Sequence, residues 1–226
     1  MSVLVAVGIN SEGYRELLDV AEESREDKES WQNVLLYLKE RGLYGVKLIV
    51  SDKSTGLVEV LGDFFPKAKW QRCAVHWYRN GFSKCPKHKS GEVAAMLNAI
   101  HAQDDKDAAR QKAAMVADKL RGMKLNSVAN FVEKTAEGTL SYMDFLREYW
   151  TCLRTNNGLE RVMKEIRRRT RVVGAFPDGN SALMLVCARL EFITRTKCGF
   201  FSLFLQKQLD FLRNRGYINH IIDAPA

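Results

Sequence analysis

The sequence predicts an α/β protein: a mixed sheet packed by helices and interrupted by an all-helical insertion. Three observations carry that expectation. Residues 3–75 alternate short apolar strand patterns with helical periodicity. Residues 91–150 then lose every strand signal. A basic helix follows and returns the chain to the first architecture. Of the 226 residues 46% are hydrophobic and 27% charged, which is enough apolar material for a core, so disorder of the whole chain is excluded.

In order, Val3 to Val7 is a short buried-strand pattern, Asn10-Ser11-Glu12-Gly13 a turn signal, and Tyr14 to Val20 a second strand. Together they read as a β-hairpin. After the polar stretch Glu22 to Glu29, Trp31, Val34, Leu35 and Leu38 recur at helical spacing, and Arg41-Gly42 supplies the stop. Val46 to Val50 is an apolar strand running directly into Ser51-Asp52. Leu57, Val58, Leu61 and Phe64 mark a helix ended by Pro66, and Lys69 to Val75 a further short strand. In the Ala-rich segment Gly91 to Trp150, Met96, Leu97 and Ile100 form one helical stripe and Ala113, Val116 and Leu120 another. Asn156 to Thr170 is a helix with Leu159, Met163 and Ile166 spaced for burial. Gly174 to Gly179 is a loop, and Ala182 to Phe192 a last helix. The expected domains are residues 1–90 (first part of the core), 91–150 (helical insertion), 151–198 (remainder of the core) and 199–226 (tail).

Composition excludes several classes. Apolar runs such as Val3 to Val7 and Phe200 to Leu205, the second broken by Ser202, fall far short of the roughly 20 residues of a membrane helix. No basic stretch leads into an apolar one at the amino terminus, so a secretory signal is not expected. The five cysteines, an odd number, read as reduced thiols in a cytosolic setting. Neither a phosphate-cradling glycine loop nor a nucleophile elbow is present. The charge is uneven: residues 151–226 hold 13 basic and 6 acidic residues, residues 1–150 hold 22 and 21. Arg161, Lys164, Arg167, Arg168, Arg169 and Arg171 fall in one short window. That cluster is either the footprint of a polyanion binder or a solvated helix face.

Asp52, just past a buried strand, is placed to hold a divalent cation or to cap the next helix. Glu160 precedes the basic cluster. It can ligate a metal beside phosphate-binding cations, as phosphoryl transfer requires, or pair with Lys164 one turn on. Cys73-Ala74-Val75-His76 and Cys85-Pro86-Lys87-His88 have the spacing of zinc ligands, but the aromatic-rich spacer between them favours packing over a four-ligand site.

Three segments together resemble a known family. Gln71-Arg72-Cys73-Ala74-Val75-His76-Trp77-Tyr78-Arg79-Asn80 resembles the Cys-x2-His segment of the Mutator-type transposases of bacterial insertion sequences. Arg154-Thr155-Asn156-Asn157-Gly158-Leu159-Glu160-Arg161, continuing from Lys164 to Pro177, resembles the segment carrying that family's catalytic glutamate. Val50-Ser51-Asp52 with Gly56-Leu57 resembles its second catalytic aspartate and helix. The resemblance covers roughly residues 3–198. It implies an RNase H-like fold with an Asp-Asp-Glu triad, and Mg²⁺ or Mn²⁺ driving cleavage and strand transfer of double-stranded DNA at transposon ends. Asp52 and Glu160 match two of the three ligands. Cys73 and His76, with Arg79 and Asn80, match positions of structural or DNA-positioning character. The implied partners are transposon-end and target DNA, with a second copy or an intact transposase. The implied setting is the bacterial cytoplasm, associated with the nucleoid.

Against that pattern, no strand precedes Val3, so no residue matches the first aspartate. The expectation is a catalytic domain truncated at its first strand and inactive alone. Two alternatives are a non-catalytic fragment binding DNA or transposase, and an unrelated nuclease completing its metal site with Asp19.

Overall fold

The computed structural model describes residues 2–9, 15–23, 27–52 and 55–173, together with 181, 184–186 and 188. Among the described residues the protein is mixed α/β and mostly helical, with two small sheets. It divides into two compact units. One comprises residues 1–47, 54–68 and 157–226, the other residues 48–53 and 69–156. The single mixed sheet expected from the sequence corresponds to two separate two-stranded sheets, one in each unit. The loop at 174–179 lies outside the described residues. So does most of the last expected helix, although 181, 184–186 and 188 are helical.

In the first unit, β1 (Ser2–Ile9) and β2 (Arg15–Glu23) pair antiparallel, with a register shift between Ala6 and Val7. Leu4 on β1 packs with Val34 and Leu38 of helix α1 (Lys28–Glu40). That helix begins where Asp27 accepts a hydrogen bond from the Ser30 amide at 3.1 Å. It ends as the sequence predicts. The Gly42 amide bonds the Lys39 carbonyl and the Leu43 amide the Leu38 carbonyl, both at 2.9 Å, with Gly42 at φ +92°. This paired closure needs a left-handed residue, which glycine adopts without strain. Helix α2 (Thr55–Phe64) approaches the start of α1 closely: a Cβ on Gly56 would lie 2.6 Å from the Asp27 carbonyl carbon. The unit also contains the long helix α8 (Asn157–Val173).

In the second unit, β3 (Leu48–Ser51) and β4 (Lys69–Arg72) pair parallel, with Ser51 opposite Arg72. From residue 74 to 153 the chain is built from helices and the turns that join them: α3 (Ala74–Phe82), α4 (Ser90–His101), α5 (Lys106–Gly122), α6 (Asn126–Thr135), short 3₁₀ turns, and α7 (Trp150–Leu153). The core of this unit is dry and aromatic-centred. Trp77 of α3 is fully buried among Leu97, Ile100, Leu120, Val128, Val132 and Leu140. Trp77 stacks on Phe131 with centroids 5.4 Å apart, and its Nε1 donates to Thr135 Oγ1 at 2.8 Å. Such a group holds α3 against α4 and α6, and α3 in turn carries the Cys-x2-His segment. No helix among the described residues is long and apolar enough to cross a membrane.

Candidate active site

Parallel pairing of β3 and β4 brings two strand ends to one edge. Asp52 follows Ser51, and Cys73 follows its register partner Arg72. The Cys73 amide donates to the Ser51 carbonyl at 2.7 Å, extending the ladder by one bond. Ser51 pins this edge through its side chain. Its Oγ accepts from Trp70 Nε1 at 2.9 Å and donates to the Asp52 carbonyl at 2.7 Å. The Asp52 side chain is exposed, and its carboxylate makes no hydrogen bond or ion pair among the described residues. Helix α2 is described from Thr55, and residues 53 and 54 between it and Asp52 lie outside the described residues.

Cys73 is fully buried and is the residue before the first turn of α3. His76, half-buried, sits three residues on, on the same face. The Cys73 Sγ and a His76 ring nitrogen lie within 4.8 Å of each other. The amino end of α3 is tied further along the chain: the Ala74 amide donates to the Arg154 carbonyl at 2.8 Å. The second pair does not join them. His88 is exposed, and the Cys85 thiol donates to the Pro86 carbonyl at 3.3 Å. Arg79 and Asn80 are exposed on the last turn of α3.

In the other unit, Glu160 lies in the first turn of α8. At 100° per residue, Leu159, Met163, Ile166 and Thr170 fall on one stripe, and these are buried or half-buried positions of the helix. Glu160, Lys164, Arg167 and Arg171 fall together on another face. The basic cluster is therefore not uniform. Arg168 makes two hydrogen bonds to Glu165, at 2.9 and 2.8 Å, and Arg169 pairs with the same carboxylate at 3.6 Å. Lys164, Arg167 and Arg171 are exposed, and no ion pair involves them among the described residues. The Arg161 side chain is outside the described residues. Asp19, on β2, accepts a hydrogen bond from the adjacent Val20 amide at 2.8 Å. Burial pushes its carboxyl above the usual range, against the lowering effect of that bond and of Arg41.

The sequence matches the Mutator family of transposases over residues 1–194. The chain belongs to that family. It is 39% identical to the transposase for insertion sequence element ISRM5 of Rhizobium meliloti over 83% of this chain and 47% of that protein. It is 38% identical to the transposase for IS1081 of Mycobacterium tuberculosis, over 83% and 45% respectively. Against the IS256 transposase of Staphylococcus aureus the figures are 33%, 82% and 48%. The chain thus spans about half the length of the curated relatives it matches.

The family resemblance implies divalent metal ions, and the chain's donors differ in how they suit them. Asp52 offers an exposed, uncommitted oxygen donor of the hard type that Mg²⁺ and Mn²⁺ take, and Glu160 is a second carboxylate. The Cys73 thiol is a soft donor and does not suit those ions. Sequence reasoning missed Arg72, which is 3% exposed, and the helical state of Ala74–Phe82.

Proposed function

We propose that this chain forms part of the DNA-processing core of an insertion sequence transposase and acts on double-stranded DNA by metal-dependent phosphoryl transfer. The observation that carries this reading is the exposed Asp52 at the carboxyl end of a parallel strand, where ligand chemistry gathers in α/β sheets. In this proposal the fold is RNase H-like, residues 91–150 are an insertion, and residues 1–90 and 151–198 form the core. Asp52 and Glu160 hold the same Mg²⁺ or Mn²⁺ ions, which when bound stabilise the attacking and leaving oxygens of a phosphodiester. Their carboxylates would then lie within roughly 4–8 Å of each other. Chain connectivity supports this. The Arg154 carbonyl is fixed to the start of α3, beside the Asp52 edge, and Glu160 follows Arg154 by only six residues.

The chain's own residues bind and orient the substrate. Lys164, Arg167 and Arg171 share a helix face with Glu160 and would neutralise DNA phosphates, giving binding that depends on salt rather than sequence. Cys73 and His76 position the edge, a role supported by the burial of Cys73 and by the bond of the neighbouring Ala74 amide to the Arg154 carbonyl. With two carboxylates assigned, turnover by these 226 residues alone is expected to be low, because two hard cations need more oxygen ligands. Asp19 is the alternative third ligand, although its amide bond and partial burial already commit it. The partners in this reading are transposon-end and target DNA and a second transposase copy. The test is a strand-cleavage assay with Mg²⁺ or Mn²⁺ on duplexes bearing the element's ends. Cleavage should vanish in both Asp52→Asn and Glu160→Gln, and cleavage that persists in either would overturn the assignment.

A further inference from the structure

Beside Asp52 lies a buried arginine that makes no side-chain hydrogen bond or ion pair among the described residues. Gln71 and Arg72 are consecutive, and both are buried at the end of β4, yet they are treated very differently. The Gln71 side chain is fully engaged. Its Nε2 donates to the carbonyls of Arg72 and Thr139 at 2.8 and 2.9 Å, and its Oε1 accepts from the Tyr142 amide at 2.9 Å. Arg72 carries five N–H donors and a fixed charge. Its guanidinium makes no hydrogen bond or ion pair among the described residues, and its buried Nε has no acceptor. What it has is a platform. The guanidinium carbon lies 5.5 Å over the centroid of the Phe131 ring. Phe131 is itself fixed by its stack on Trp77 and by Gly81, where a Cβ would sit 3.4 Å from the ring.

A buried charge without a partner is costly, and proteins pair such charges or hold them for a ligand. An arginine stacked on an aromatic ring has its planar fork oriented in advance, which matches two oxygens of a phosphate or carboxylate. Its register partner Ser51 precedes Asp52, so the fork sits at the strand edge assigned to phosphoryl transfer. Burial opposes the charge on Arg72, and the Asp52 carboxylate favours it.

We propose that Arg72 is a substrate-binding residue that takes the non-bridging oxygens of a DNA phosphodiester delivered to the Asp52 edge. The assignment rests on the reading of the chain as a DNA-processing core and adds the residue that receives the phosphate. No bond is made or broken in this role. Arg72 adds a positive charge beside Asp52 at this edge.

The test compares the full chain with Arg72→Met and Arg72→Lys, using a short DNA duplex of random sequence as probe and thermal melting as a second readout. Methionine keeps the stack on Phe131 and removes the unpaired charge. Arg72→Met should therefore melt higher than the parent while binding the duplex roughly tenfold or more weakly. The salt slope of binding should fall by about 0.9, the value for one neutralised phosphate. Arg72→Lys keeps the charge without the fork, so it should retain the slope and lose part of the affinity. Should the methionine variant fail to fold, the lysine variant decides alone, and parental affinity in it would overturn the assignment. Parental affinity and slope in a folded Arg72→Met would also overturn it while leaving the broader reading intact. A parent chain that does not bind the duplex at all would overturn both.

Discussion

Lowering the pH should unlock the helical unit through a single histidine. His101 ends α4 and is buried. Its Nδ1 meets the Tyr78 hydroxyl at 2.7 Å and its Nε2 meets Thr139 Oγ1 at 2.8 Å. Thr139 Oγ1 already donates to the Ala136 carbonyl at 2.6 Å, so it accepts from Nε2–H. Nδ1 is then left to accept from Tyr78, which makes the ring a neutral imidazole. Burial first, and the nearby Arg154 charge second, push His101 down from its ordinary 6.5 to about 4. The unfolded chain binds the proton more readily than the folded one. The stabilisation is therefore complete above pH 6.5 and is lost as pH falls through 4. That difference in proton affinity corresponds to about 3 kcal/mol, and for a chain of this size to a fall in Tm of roughly 6–12 °C. The assay is Tm against pH for the parent and for His101→Gln. Paired carboxylates such as Glu137, which its hydrogen bonds from Arg110 hold below the usual range, contribute acid sensitivity to both proteins. The difference between the two curves isolates the histidine. Parallel curves from about pH 7 to 4 would refute the argument.

Trp77→Ala should cost about 3–5 kcal/mol, since it empties the centre of the aromatic core, and a denaturant titration would measure it. Gly56→Ala should destabilise by about 1–3 kcal/mol, because its Cβ meets backbone of residues 27 and 28 rather than a movable side chain. Gly62→Ala in the same helix, with nothing within 4 Å, should gain about 0.5–1 kcal/mol in the same melts. Replacing Lys164, Arg167 and Arg171 together by Gln should reduce the salt slope of duplex binding by about 0.9 for every phosphate these side chains neutralise, and an unchanged slope would place the DNA elsewhere.

What could be read from the sequence was local. The hairpin β1–β2 and the Gly42 stop follow from turn chemistry and period within a few residues, and both are found. Helix α3 begins at Ala74, inside the strand that the sequence predicts over Lys69 to Val75, because a short apolar run fits either element. Near its end the lack of a side chain at Gly81 is demanded by packing, with Leu97 Cδ1 only 3.0 Å from where a Cβ would sit. The pairing of β3 with β4 is non-local, and no pattern within either strand specifies it. The same holds at the site. Asp52 could be picked out because it ends an apolar strand and matches a family motif. Arg72 could not, since an arginine at a strand end reads as a solvated edge. It is Phe131, far along the chain, that lies beneath it. The basic window around Lys164 was visible, but its division was not. Glu165 takes up Arg168 and Arg169, and Lys164, Arg167 and Arg171 line the face shared with Glu160.

The central claim is that Asp52 and Glu160 serve one metal centre. Mn²⁺ binding followed by electron paramagnetic resonance tests it most directly, because it reads the ligands without requiring turnover. Mn²⁺ has the hard-oxygen preference of Mg²⁺ and a signal that quenches on binding. The account predicts that Asp52→Asn and Glu160→Gln each weaken Mn²⁺ binding substantially, and that the double variant loses little beyond the more damaging single change. Binding that depends on Asp52 alone and is indifferent to Glu160→Gln would contradict it.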